Sequence, residues 1–271
     1  MEYSSEKYFR LLEEGKFEEA IAYRAEQIPD YLYKFMPLFN DIKDDEENKK
    51  RLESLENNQI WFASAAKQND PYEFNGIYLD KEKLLALGMP NDLIDKASDL
   101  LLRSTILTAF TANMHDNLPM WAHYSNNHCG FCVKYKVENK QSIRNVTYEE
   151  RRIPIASIFV NFVNAAHQYE ATGDMEYLQK VQFYSTIMQE KFFCKHSSWA
   201  YEHEYRAILP LENEIDGMNV DISVIGLCVS EIYCGINCNE KNKSELARIS
   251  AKIGVPIHEC KPSNTAFTVF Q

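Results

Sequence analysis

"SWAYEHEYRAILPL", residues Ser198 to Leu211, alternates as a β-strand does. Side chains on a strand point to opposite faces in turn. Over residues 199–211 that rule places Glu202, Glu204, Arg206 and Ile208 on one face, and Tyr201, His203, Tyr205, Ala207 and Leu209 on the other. The two carboxylates then stand about 6.5–7 Å apart, at a rise of about 3.3 Å per residue. The charged face has two readings. It is a solvated sheet surface on which Arg206 relieves repulsion between the carboxylates, or it is the floor of a site. Trp199, Tyr201 and Tyr205 argue for a strand well inside the fold. A buried Glu-Glu-Arg face needs a reason, because unpaired charge there is costly.

Outward from this strand, the pattern predicts a mixture of short strands and longer helices. Residues 31–35, 59–64, 104–112 and 130–137 are rich in aromatic and branched side chains and read as strands, with "NVTYEE" a further one. "ISVIGLCVSEIYCG" (222–235) reads as a strand pair, and "PIHEC" and "AFTVF" as closing strands. Helices are expected after a cap at Asp44 or Asp45, from Pro90 to about Leu102, around Pro119, through residues 155–194 with a break near Gly173, and from about Lys241 to Ile253. Residues 4–27 form two short helices about Gly15, with Pro29 closing the unit. The fold class is therefore α+β: a single mixed or antiparallel-sheet domain with inserted helices over residues 30–271, preceded by a helical N-terminal extension over residues 1–29.

Composition narrows the partners. The chain has 271 residues, is 45% hydrophobic, and carries a formal charge of −11. Such an acidic chain is poorly suited to gripping nucleic-acid phosphates or an anionic membrane, although a local basic groove is compatible with it. The N-terminus lacks the basic and apolar regions of a secretory signal, and no apolar run approaches the ~20 residues of a membrane span. A cytoplasmic protein with reduced thiols is expected from seven scattered cysteines.

Three constellations can carry chemistry. The first is the Glu202, Glu204 and Arg206 face. The second is "FASAAKQNDPYEFNG" (62–76), where Ser64 ends a strand and Asn69, Asp70 and Glu73 occupy the following loop. Asn-Asp-Pro also serves simply to cap and turn. The third is "NLPMWAHYSNNHCGFCVKY", in which Met120, Trp121 and Tyr124 line a short helix beside His123. Its rings suit a flat heterocycle, but Trp121 is expected in the core and His123 as the partner of a carboxylate. No metal is expected at Cys129 and Cys132: on a strand they face opposite ways, and no second CxxC pair completes four ligands.

"LYKF" (32–35), "WFAS…QNDPYEFNG" (61–76), "MWAHYSNNHCGFCVKY" (120–135) and "WAYEHEYRAI" (199–208) resemble, in order, the blocks of a bacterial family of unknown function. Gln68 departs from the Phe usual in its loop. More distantly, "EHEYRAILPL", "LYKF" and "WFAS" are similar to the three motif strands of ADP-ribosyltransferases, with Lys34 where Arg or His is usual. That resemblance implies NAD as a substrate. It assigns Glu204 to the developing oxocarbenium charge and a ribose hydroxyl, Glu202 to the acceptor, and Ser64 to positioning Glu204. It gives Lys34 a phosphate or ribose, Tyr72 or Tyr124 the nicotinamide, and Arg206 either Glu204 or a phosphate. The reaction would be transfer to an unknown acceptor or NAD hydrolysis, as in toxins and anti-phage effectors. Two alternatives stand beside it. One is a non-catalytic module that binds a protein partner and uses the Glu/Arg face as a structural network. The other is a hydrolase holding magnesium on Asp70, Glu73, Glu202 and Glu204.

Overall fold

The computed structural model describes residues 5–40, 45–68, 70, 72–264 and 269–270. It begins with the expected hairpin, α1 (Ser5–Glu13) and α2 (Phe17–Ala25), which close on each other through Tyr8, Leu12, Ala20 and Tyr23. β1 (Tyr31–Met36), α3 (Asp45–Glu56) and β2 (Gln59–Ser64) follow. Asp44, one of the two caps expected for α3, lies outside the described residues, and Asp45 is the first helical residue. Next come β3 (Ile77–Tyr78), α4 (Lys81–Ala86), α5 (Asn91–Arg103), β4 (Thr105–Thr111), α6 (Leu118–Tyr124) and β5 (Phe131–Val137). Three short strands, β6 (Arg144–Asn145), β7 (Thr147–Glu149) and β8 (Ile153–Pro154), lead to α7 (Ala156–Thr172) and α8 (Met175–Gln189). Between the two helices Gly173 takes the left-handed conformation, at φ 69°. The chain ends with β9 (Cys194–His196), β10 (Glu204–Pro210), β11 (Gly217–Asp221), β12 (Leu227–Cys234), α9 (Glu240–Ile253), β13 (Ile257–Glu259), β14 (Lys261–Pro262) and β15 (Val269–Phe270).

The main sheet is mixed, in the order β11-β2-β4-β1-β5-β12-β13, antiparallel except for β12 with β13. β10 takes one edge of β4 along its whole length, from Glu204↔Thr111 to Pro210↔Thr105. The other edge of β4 is shared. β2 meets it at Ile106 and Leu107, and β1 only at Thr111. Between them the ladder opens, and there the Lys34 ammonium donates to the Ala109 carbonyl at 2.9 Å. A backbone oxygen left without its strand partner is thus satisfied by a side chain.

One face of the sheet carries the main core, in which Leu52 and Leu55 of α3 and Leu246 and Ile249 of α9 pack on Ile60, Phe62, Phe110 and Val133. The other face is covered by α6, through Trp121 with Phe35 and Tyr233, and by Phe74, Phe192 and Phe193 on Leu107. The result is α+β. Three segments differ from expectation. The strand expected over residues 199–211 starts only at Glu204. Residues Ser197–Glu202 form a 3-10 helix because the His196 ring caps it, accepting from the Ser198 N–H, and His203 then turns left-handed at φ 43°. The strand pair expected over 222–235 is a 3-10 turn, Ile222–Ile225, and a single strand, β12. Asp221 caps that turn, Gly226 ends it, and the segment at Gly217–Asp221 becomes a strand instead. "NVTYEE" splits, with Asn145 pairing on β10 and β7 running parallel to β9. "AFTVF" falls mostly outside the described residues, Val269–Phe270 excepted. No helix among the described residues is long and apolar enough to cross a membrane.

Candidate active site

Glu204 opens β10, and its carboxylate is buried at 6% exposure. Two residues on, Arg206 grips both of its oxygens, Nε to Oε1 at 2.6 Å and Nη2 to Oε2 at 2.8 Å. The i, i+2 spacing of the strand puts both on one face, as the sequence predicts. That face is interior, not solvated. Arg206 Nη1 donates to the Phe192 carbonyl at 2.6 Å, and Nη2 meets Glu73 Oε1 at 2.7 Å. Its guanidinium lies 5.4 Å from the Phe74 ring centre. Phe74 itself sits at φ 60°, so the loop turns sharply just after Glu73 and aims the carboxylate inward.

Glu202 is not on the strand. It ends the 3-10 helix, and the left-handed turn at His203 returns it toward Glu204. Both carboxylates meet Lys195, which donates to Glu202 Oε2 at 2.5 Å and to Glu204 Oε2 at 3.2 Å. Lys195 Nζ is also 3.7 Å from Glu73 Oε2 and 4.7 Å from the Trp199 ring centre. The Tyr124 hydroxyl donates to the other oxygen of Glu202. Lys195 was not singled out in the sequence, because "FFCKHSS" reads there as the end of a helix. β7 and β9 place it beside Tyr148 in parallel register, and the Tyr148 hydroxyl accepts the Glu204 N–H at 2.9 Å. Tyr148 was missed because reading "NVTYEE" as a strand does not say what it pairs with. A three-residue parallel pairing between segments so far apart leaves no periodic trace in sequence.

Glu73, Tyr124, Lys195, Glu202, Glu204 and Arg206 line a cleft of about 170 Å³, with Lys34, Asp70, Met120 and Trp199 also on its walls. Three carboxylates, Glu73, Glu202 and Glu204, face two fixed cations, Lys195 and Arg206. The charge of Lys34 moderates the excess. Burial pulls its ammonium down to about 8, against the pull of Glu204. The two motif carboxylates respond in opposite senses. Burial pushes Glu202 up, outweighing Lys195. Burial also acts on Glu204, but Arg206 and Lys195 hold it below the ordinary value.

The remaining candidates divide. Asp70 lines the cleft but spends its carboxylate on the Tyr72 N–H, at 2.8 Å, as an ordinary loop cap. Tyr72 is 65% exposed and does not line the cleft, whereas Tyr124 does. Asn69 lies outside the described residues. Ser64 pairs with Ile106 while Glu204 pairs with Thr111. Five residues of β4 separate them, about 17 Å at the strand rise. Ser64 therefore does not position Glu204; its hydroxyl caps the turn after β2 by accepting from the Ala66 N–H. His123 is exposed, edge-on to Tyr201 at 6.4 Å, and does not reach a carboxylate of the cleft. Trp121 is fully buried, as expected of a core residue. No group of His, Cys, Asp or Glu among the described residues is arranged to hold a metal ion.

Residues 120–207 match the model of a family described as a protein of unknown function (DUF2971). The match spans α6 through the first half of β10 and so contains Tyr124, Lys195, Glu202, Glu204 and Arg206. No curated protein and no solved structure matches the chain. The likeness to ADP-ribosyltransferases thus rests on the short strand motifs alone.

Proposed function

We propose that the cleft is an active site for breaking a bond to ribose, acting on NAD as a transferase or glycohydrolase in the manner of an ADP-ribosyltransferase. One observation carries the proposal: two carboxylates two residues apart share a cleft and are driven in opposite directions. Glu202 is pushed up by burial, and Glu204 is held ionised by Arg206 and Lys195. Pairs of acids separated in this way divide the roles of proton carrier and fixed charge. Glu202, bridged by Tyr124 and Lys195, is the group to take or give a proton. Glu204 stays anionic and supports positive charge that develops on the ribose. Lys34 and Lys195 supply cations for a phosphate near the same walls. The cleft volume suits the reacting end of the substrate, with the remainder outside it. The free cysteines fit a reducing, cytoplasmic setting for this chemistry.

The ion pair between Arg206 and Glu73 favours a second reading. With it the network closes on itself, as a purely structural, protein-binding module would require.

Calorimetry with NAD, alongside a nicotinamide-release assay, separates the two. The enzymatic proposal expects saturable binding weakened by Lys34→Ala, and release reduced about 10²- to 10⁴-fold by Glu202→Gln, the range for losing a general acid–base group. It also expects release abolished by Glu204→Gln. Absence of NAD binding at millimolar concentration, or full activity in Glu204→Gln, returns the cluster to a structural role.

A further inference from the structure

The cleft, at about 170 Å³, is smaller than the sites that enclose whole small molecules, about 300–1,000 Å³. A larger groove adjoins it. This groove, about 540 Å³ in volume, opens between the end of β1, α3 and β2, and Lys34 lines both spaces. The Lys34 ammonium is held there by a neutral acceptor, the Ala109 carbonyl at 2.9 Å. Lys50 and Arg51 also line the groove, but they pair with Glu47 at 2.8 and 3.6 Å and are not what marks it. Trp61 marks it. Tryptophan is highly buried on average, yet Trp61 of β2 is 51% exposed on the groove wall. Its ring is also fixed in place. On the neighbouring strand β11, a Cβ at Gly217 would stand 2.5 Å from the indole, so glycine is what lets the ring lie against that backbone. Opposite Trp61 in register is Asn219. The Ser54 hydroxyl of α3 donates to Asn219 Oδ1 at 3.0 Å, which fixes the amide and leaves its N–H₂ group to meet the polar edge of a ligand.

A flat heterocyclic base stacks on an aromatic side chain through its π-face, and a lysine ammonium binds phosphate as a point charge. We propose that the groove binds a purine nucleotide, with the base on Trp61, its polar edge at Asn219 and its phosphate toward Lys34. The phosphate then stands where the groove meets the cleft, and a dinucleotide spans both spaces across Lys34. That extension rests on the reading of the cleft as an NAD site. The base site itself does not.

The test is calorimetry on the full chain with AMP, with ribose 5-phosphate, which lacks the base, and with NAD. AMP binds saturably, and ribose 5-phosphate binds at least about tenfold more weakly. Trp61→Ala weakens AMP binding about tenfold or more, the loss for one stacked base. Trp61→Phe keeps a ring and recovers part of that loss. Both changes fall on an exposed side chain, and thermal unfolding verifies that the variants fold. Tyr124→Phe, in the cleft, leaves AMP binding unchanged. NAD binding weakens with Trp61→Ala in the same sense as AMP binding. The proposal is overturned if AMP does not bind at millimolar concentration, if ribose 5-phosphate binds as tightly, or if Trp61→Ala leaves AMP binding intact. AMP binding that depends on Trp61, with no binding of NAD, supports the groove and overturns the reading of the cleft. NAD binding and nicotinamide release that both survive Trp61→Ala unchanged overturn the groove as part of the substrate site and leave the reading of the cleft standing.

Discussion

Glu202 and Glu204 meet the same ammonium from opposite sides of one left-handed residue, and their environments give them unequal effects on stability. Ionised Glu204 is held by Arg206 and Lys195, so Glu204→Gln leaves a buried guanidinium short of charge. A loss of about 2–4 kcal/mol is expected, near the range for breaking a buried pair. Burial of Glu202 outweighs its contacts with Lys195 and Tyr124, so Glu202→Gln should cost less stability than Glu204→Gln, about 1 kcal/mol or less. Urea unfolding of the two variants side by side checks the contrast; equal losses would contradict it. Lys34 gives a pH signature. Its folded-state value is about 8 against 10.5 in the unfolded chain. Between those values the unfolded state binds more protons, so stability rises with pH across that window and is penalised below it. The unfolding free energy of the wild type minus that of Lys34→Met should therefore climb from pH 8 to pH 10. A flat difference would mean that Lys34 is not desolvated.

At the scale of elements, two backbone positions explain why the motif strands meet. Gly130 precedes β5 in "HCGFC", and a Cβ there would stand 2.0 Å from the Met36 carbonyl oxygen at the end of β1. Glycine is needed for close approach, not for φ. Gly130→Ala is expected to destabilise by about 1–3 kcal/mol through forced displacement of backbone, measurable by denaturation. His203 is the converse case, a side-chain-bearing residue in a left-handed turn. His203→Gly relieves that conformation at little cost in contacts, since the ring is exposed, and should be neutral or stabilising by up to about 1 kcal/mol. A strong loss of stability would show that the imidazole itself holds the turn. Both positions were visible as letters in the sequence, but neither conformation was. The alternation of "WAYEHEYRAI" is equally compatible with a strand throughout and with a capped 3-10 turn leading into one.

Across the whole molecule Arg206 joins parts distant in sequence: the loop at Glu73, the strand at Glu204, the turn at Phe192 and a cavity beneath the hairpin. Arg206→Met strands Glu73 and Glu204 together and should cost about 3–5 kcal/mol, the loss for removing one side of a buried ion network. Arg206→Lys should recover only part of that, because a point charge cannot replace a bidentate fork. Calorimetric unfolding of the three proteins checks both statements, and full rescue by lysine would reduce the network to simple charge balance.

Local pattern determined much of this protein. The alternation and helical periods placed β1, β2, β4, β5, α5, α7, α8 and α9 and hence the α+β class, and the i, i+2 spacing put Glu204 and Arg206 on one face. Those features depend on neighbours within a few residues, which a sequence displays directly. Tertiary structure decided the rest. Burial turned a charged face into an interior one, and β7 beside β9 delivered Tyr148 and Lys195. The register of β4 carried Ser64 away from Glu204 while the loop after β2 brought Glu73 in. Each of these rests on contacts between segments tens of residues apart, and no spacing along the chain records such contacts.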